Sequence, residues 1–318
     1  MRKQNYSIYS AGKFITTNHV LEIHNPFNQS LVATTYLADK FVLEEAIIKA
    51  LSVKAELQNL SSQKKYNILK QISNEIYANR KKLAEVLSLE SAKPLKYALA
   101  EIDRSAYTFS IAAEESKKDR TEHLALERIL QTDKRNGTVD YFPIGLIAGI
   151  APFNFPMNLA VHKLAPAIAS GCPIILKPAS RTPLSCLELA KIIDRTELPK
   201  GSVSILPMDR TTGNLLVTDE RFKLLSFTGS PDIGWKMKAQ SGKKKVVLEL
   251  GGNAATIITK SADLKDALPK SLMGAFAYSG QICIHAQRFM VHSSLYQSFV
   301  DELNALTQNL ISGNPLET

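Results

Sequence analysis

Only three cysteines occur in the 318 residues, Cys172, Cys186 and Cys283. An odd number at wide spacing excludes a disulfide framework as the organising principle of the fold. No two stand as C-x-x-C and no H-E-x-x-H is present, so the common zinc signatures are missing and no metal is expected. Cys283 and His285 stand two apart, and such a pair alone arises by chance. Also missing is G-x-G-x-x-G, the ordinary dinucleotide fingerprint. Gly229 and Gly234 have the spacing of a P-loop, but Trp235 occupies the lysine position, which excludes a kinase or ATPase of that type.

Long apolar helical runs are absent too. The N-terminal stretch carries two early cations and no apolar run after them, so a secretory signal is not expected. Residues 141–162 contain no Asp, Glu, Lys or Arg, enough for a membrane span, yet Pro143, Pro152, Pro156, Asn154 and Asn158 interrupt them. Prolines break the helix, and amides have no partner in lipid. The expectation is a cytoplasmic protein without a membrane anchor. No internal repeat and no low-complexity tract occurs.

What is present fits a soluble globular chain of about two domains, with 45% hydrophobic and 22% charged residues. The net charge of +9 raises the question of an anionic partner. The sharpest basic cluster, Lys243-Lys244-Lys245, precedes an apolar strand and reads as a solvated turn. No basic stripe with interleaved aromatics accompanies it, so nucleic acid is not the expected partner.

Residues 40–115 have helical composition, with Ile68, Leu69, Ile72 and Ile76 at three-to-four spacing. Between Leu124 and Pro143 polar and apolar residues partly alternate, and a hairpin turn is expected over Asp133-Lys134-Arg135-Asn136-Gly137. From Ile144 the pattern becomes strand, turn, helix. Strands are expected at 144–150, 173–177, 203–206, 224–227, 246–250 and 255–258, and helices at 184–194 and 233–239 among others. Short apolar strands alternating with helices predict an α/β fold, a Rossmann-like parallel sheet covered on both faces. Ligands of such sheets bind beyond the carboxyl ends of the strands.

Five short motifs follow those strands: Pro152-Phe-Asn-Phe-Pro156, Lys177-Pro-Ala-Ser180, Phe227-Thr-Gly-Ser230, Glu249-Leu-Gly-Gly252 and Gly280-Gln-Ile-Cys283. Each alone is weak. In this order and spacing they resemble the aldehyde dehydrogenase superfamily, from the early helices to about Gly313. The resemblance implies that an aldehyde is oxidised to an acid with NAD or NADP through a cysteine hemithioacetal and then a thioester.

On that resemblance Cys283 is the nucleophile. A thiolate attacks a carbonyl readily, while Cys172 and Cys186 read as core packing. Asn154, with the backbone N–H of Cys283, is the implied donor set for the oxyanion, though an asparagine between prolines also serves its own turn. Glu249 is the implied general base for hydrolysis, the plainer reading being a glutamate paired with a lysine. Relatives that pass the acyl group to coenzyme A tend to lack this glutamate; acyl transfer to coenzyme A is therefore the lesser alternative. A further alternative is a protein that binds nucleotide or oligomerises without catalysis.

The cofactor is expected against Pro152 and Phe153, Lys177, Ser180, Gly229 and Ser230. Pro231 and Asp232 put Gly229 and Ser230 at a helix N-terminus, where backbone N–H groups attract phosphate. Lys177 resembles the family's ribose-binding lysine and is also included among the catalytic set. Many NAD-preferring members place a glutamate three residues on; Ser180 stands there, beside Arg181, and the loss of that carboxylate removes repulsion toward a 2′-phosphate, so NADP should be accepted. The family usually has a glycine early in the loop after Pro207, where this chain has Met208-Asp209; Gly213 is the nearest candidate.

The implied division is a dinucleotide-binding domain of residues 1–123 and 144–251, an oligomerisation hairpin at 124–143, and the start of a second α/β catalytic domain at 252–318. Family chains run on past the equivalent of Thr318 with an E-x-F-G-P motif and a strand that joins a partner's sheet. Neither is present, so the chain reads as C-terminally truncated, and a homo-oligomer, dimer or tetramer, is the expectation for the full length. The substrate is a small aldehyde. Arg104 offers a partner for an anionic one, such as a short hydroxy-, phospho- or sulfo-aldehyde; the plainer reading is a helix-surface pair with Asp103 or a nearby acid.

Overall fold

The computed structural model describes residues 4–126 and 136–317. It opens with five short strands, β1 (Gln4–Asn5), β2 (Ile8–Ser10), β3 (Lys13–Ile15), β4 (Val20–His24) and β5 (Leu31–Tyr36). Five helices follow: α1 (Lys40–Ser52), α2 (Lys54–Gln58), α3 (Ser62–Ala78), α4 (Arg80–Ser91) and α5 (Leu95–Glu115). Asp39 caps α1 by accepting from Phe41 N and Val42 N, both at 2.9 Å, and Ser61 caps α3. Next come β6 (Glu122–Ala125) and β7 (Asn136–Val139), paired antiparallel. Asn136 and Gly137 pair with Ala125 and Leu124, so they belong to the strand and not to the turn. Asp133, Lys134 and Arg135 lie outside the described residues.

The repeating part runs β8 (Ile147–Ile150), α6 (Pro156–Ala169), β9 (Ile174–Lys177), α7 (Leu184–Asp194), β10 (Val203–Ile205), α8 (Arg210–Thr218), β11 (Leu224–Gly229), α9 (Pro231–Gln240) and β12 (Lys245–Leu250). β8 starts later than the apolar run suggests because Gly145, at φ 117°, turns the chain into the sheet. Among the described residues the main sheet has seven strands in the order β12-β11-β8-β9-β10-β2-β3. The first five are mutually parallel; β2 pairs antiparallel with β10, and β3 antiparallel with β2. The remaining N-terminal strands form a separate sheet, β1-β5-β4. Last come β13 (Ala255–Ile258), α10 (Leu264–Phe276), β14 (Arg288–Val291) and α11 (Tyr296–Gln308); β13 and β14 pair parallel across α10.

Alternate residues of each buried strand serve opposite faces of the main sheet. Ile147, Ile174 and Leu176 pack with α3 to α7 through Leu69, Ile72, Phe109, Leu164 and Leu187. Ala148, Ile150 and Ile175 pack with α1 and α8 through Leu43, Ile47, Leu216 and Val217. Helices thus cover both faces, which is why these strands read as unbroken apolar runs. At roughly 1.5–3 kcal/mol per fully buried large apolar side chain, these two layers supply the main driving force for the domain.

α6 and α7 are among the helices with no capping side chain of their own. Phe155 precedes α6 and Pro183 precedes α7, and neither can accept from the first-turn N–H groups. Buried glutamates from other helices do so instead. Glu101 of α5 accepts from Met157 N at 3.1 Å and Asn158 N at 3.0 Å, and Glu90 of α4 from Leu184 N at 2.6 Å and Ser185 N at 3.1 Å. A carboxylate at a helix N-terminus is favoured by the dipole.

From β8 the chain proceeds to β9 and β10 on one side, then returns to β11 and β12 on the other. The strand order therefore reverses between β8 and β11. A crevice opens at their carboxyl ends, the preferred place for a ligand in such a sheet. Asn154 follows β8, Lys177 ends β9 and Gly229 ends β11.

Candidate active site

Cys283 is exposed, whereas Cys172 and Cys186 are buried. It is delivered by a tight turn over Ala277–Gly280, in which Tyr278, Ser279 and Gly280 have φ of 49°, 52° and 70°. Left-handed backbone at two non-glycine residues is strained and persists only when neighbours hold it. Those neighbours include the Pro152–Pro156 loop. Asn154 Nδ2 donates to Gln281 O at 2.8 Å, two residues before the thiol, while Asn154 Oδ1 accepts from Phe155 N at 3.2 Å. The turn role and the reach toward the nucleophile loop therefore coexist. The Glu249–Gly252 motif arrives at the same place: a Cβ on Gly252 would stand 3.7 Å from Cys283 O, and Gln287 Nε2 donates to Gly252 O at 3.1 Å.

Glu249 lies exposed near the end of β12, in register with the buried Thr228 of β11. A buried cation sits behind this pair. Lys163 of α6 donates to Thr228 Oγ1 at 2.8 Å and Ser226 Oγ at 3.2 Å. Burial pushes its pKa down to about 8, against the pull of Glu249. Beside it, His162 is held below its usual value by burial, then by Arg104 and Lys163, with Glu249 opposing. Sequence reasoning missed Lys163, although a lone cation inside the apolar run Leu159–Ile168 is a signal in itself. Arg104 is exposed on α5 and does not pair with Asp103, which binds Arg80 through Nη2–Oδ2 at 2.7 Å. Among the described residues Arg104 has no ion pair, so the plainer reading of it is corrected.

On the other side of β8, burial lowers the pKa of Lys177, with Asp209 opposing and Arg210 adding to the shift. Its stem lies on Gly213, where a Cβ would come within 3.0 Å of Lys177 Cε. Gly213 thus makes room for the lysine from α8. Ser180 and Arg181 follow in the turn after β9, Arg181 exposed, and the exposed Arg210 stands at the first position of α8. Gly229 and Ser230 lead into α9; Ser230 forms no side-chain cap, and its helix starts at Pro231. The N–H groups of that first turn are left for an anion. Pro152 is half-buried after β8, with Phe153 exposed beside it. Among the described residues no group of three or more His, Cys, Asp or Glu side chains is placed to hold a metal, and no helix is long and apolar enough to cross a membrane.

Residues 14–318 match the family model described as the aldehyde dehydrogenase family. The chain belongs to the aldehyde dehydrogenase family. It is 35% identical over 314 residues to a 3-sulfolactaldehyde dehydrogenase of Priestia aryabhattai, covering 98% of this chain and 65% of that one. Aldehyde dehydrogenase 21 of Physcomitrella patens, solved with the reaction product succinate, superposes with a TM-score of 0.96 at 40% identity, over 100% of this chain and 66% of that one. The glyceraldehyde-3-phosphate dehydrogenase GapN of Methanocaldococcus jannaschii, complexed with NADP, gives 0.90 at 35% identity over 95% and 66%. The chain therefore spans about two-thirds of the length of the relatives it matches.

Proposed function

We propose that the protein oxidises a short anionic aldehyde to its carboxylic acid, using Cys283 as nucleophile and NADP or NAD as hydride acceptor. The observation that carries this reading is the meeting of three motifs at Cys283, with the Asn154 amide at 2.8 Å from Gln281 O and Gly252 against the cysteine carbonyl. The Cys283 thiolate adds to the aldehyde carbon, and the carbonyl electrons move onto oxygen. An amide NH2 has two donors, and only one of Asn154's is engaged by Gln281, so the second can meet that charge. A nicotinamide cofactor held over the same edge would supply the hydride acceptor that this oxidation needs. Glu249 then takes a proton from water as the water attacks the thioester carbon; the acid leaves and the thiolate returns.

Lys177 and Gly213, the open first turn of α9 and the exposed Arg181 and Arg210 suit a ligand with ribose and phosphate groups. With Ser180 where a carboxylate would repel it, a 2′-phosphate is accommodated. The domain division stated above is part of the same reading, as is homo-oligomerisation through β6 and β7, whose described residues are largely exposed.

Cys283→Ser should abolish NADPH formation from aldehyde. Glu249→Gln should instead accumulate an acyl adduct on Cys283, visible by intact mass. Turnover that survives Cys283→Ser, or that requires coenzyme A, would sink the reading, and failure of NADP to replace NAD would remove its cofactor part. For the substrate, Arg104 supports an anion because it is exposed, lacks an ion pair among the described residues, and stands close enough to depress His162. The relatives named for sulfolactaldehyde or solved with succinate accord with that charge. Arg104→Leu should lower kcat/KM for a sulfonated or carboxylated aldehyde about ten- to a hundredfold, the value of a charge-assisted hydrogen bond, and spare a neutral aldehyde. Equal losses for both would remove the anionic preference.

A further inference from the structure

Lys93 has none of its surface in contact with solvent. Its ammonium pairs with Glu101 and lies 3.7 Å from the centroid of Phe155 and 4.3 Å from that of Tyr278. The two rings meet edge-on, 6.1 Å apart at 73°. Phe155 adjoins Asn154, and Tyr278 is the first left-handed residue of the turn that delivers Cys283. The free oxygen of Glu101 caps α6 through Met157 N and Asn158 N, immediately after Phe155.

A buried ion pair adds little to stability; apolar replacements of similar volume are often neutral or better. Stability alone therefore does not account for a charged pair with no solvent contact. Its contacts do: one ammonium touches both loops that carry the reaction, and its counter-ion fixes the helix that follows one of them. A cation between two ring faces also resists lateral movement of either ring.

We propose that Lys93 and Glu101 are positioning residues which hold the Asn154 loop and the Cys283 turn in mutual register. The pair acts through Phe155 and Tyr278 and touches no reacting atom. The proposal rests on the reading of Asn154 and Cys283 given above for its catalytic meaning, but not for its structural test.

That test is the alkylation rate of Cys283 by iodoacetamide across pH, clean because the other two cysteines are buried. Three variants are compared with wild type: Lys93→Met/Glu101→Gln, which keeps shape and removes charge; Lys93→Arg, which keeps the cation; and Phe109→Leu, which loosens the buried face of α5 elsewhere. A shift of about 1 Å at a reacting group changes rates by up to about a hundredfold, so the neutral pair should shift alkylation at least about fivefold. Lys93→Arg should return it toward wild type, and Phe109→Leu, though less stable, should stay within about twofold. If the neutral pair stays within about twofold of wild type, or Phe109→Leu shifts as far as it does, the pair has no positioning role. Aldehyde turnover is read in parallel. Asn154→Ala should cost wild type about a hundredfold but the neutral-pair background far less, because there the donor is already displaced. An undiminished cost would overturn the proposal. Shifted alkylation in a protein whose turnover ignores Cys283→Ser would sustain the positioning role and refute the reaction.

Discussion

Lys163 shows how one buried side chain sets a pH dependence. Its amine donates to Ser226 and Thr228, and burial brings its pKa to about 8, below the 10.5 of an exposed lysine. Between those values the unfolded chain binds more protons than the native one, so stability from this group rises with pH. Below about 8 both states are protonated and the cost of the buried charge is fully present. Several other groups titrate around this window, Cys186, Tyr6 and Tyr9 among them, all raised by burial. Glu90, raised by burial to about 8, works in the opposite sense at lower pH, and Tyr278, raised by burial to about 12, does so above 10. Comparing urea denaturation of wild type and Lys163→Met from about pH 8 to 10 isolates the lysine. Wild type should gain on the order of 2 kcal/mol relative to the variant across that range. Parallel stability curves would mean that Lys163 is not depressed in the folded protein.

At the scale of elements, the parts legible in the sequence were those whose pattern is local. α7 falls at the residues its periodicity marks, and β9, β11, β12 and β13 fall within two residues of their apolar runs. The five N-terminal strands were not legible. They are two to six residues long, and β1 finds its partner β5 only across the residues between Asn5 and Ala33, so nothing nearby announces the pairing. The site divides in the same way. Asn154, Cys283 and Gly252 were legible because motif order reports which loops converge, and the structure brings those loops together. Glu249 was expected at the end of a strand and is there, but exposed on the outermost one. Lys93 and Glu101 were hidden because a lysine or glutamate in a helical stretch reads as a solvated face, whereas Lys163 stands alone in an apolar run and was detectable there. Their burial comes from the packing of α5 on α6 and of α6 on β8 and β9.

For the whole molecule, charge and an open sheet edge act against each other. β12 ends the main sheet, and its outer backbone groups have no strand partner among the described residues. Val247 in its centre is 46% exposed, and Ile257, Ile284 and Met290 are exposed further along the chain. An uncovered strand with apolar residues is a template for pairing with another copy. The net charge of +9 opposes that approach at low ionic strength, because like-charged molecules repel over the Debye length. Salt shortens that length from about 10 Å at 0.1 M to roughly 3 Å at 1 M, so repulsion fades while the apolar attraction does not. The 318-residue chain should therefore associate more in high salt than in low, as read by light scattering after size exclusion. Val247→Lys places a charge on the edge strand without touching the buried faces of β11 or β8, and should suppress the salt-induced association while leaving Tm within a few degrees. If this variant associates as readily as wild type, the contact does not form at β12. If wild type associates less as salt rises, oppositely charged patches hold the copies together and the edge-pairing account fails.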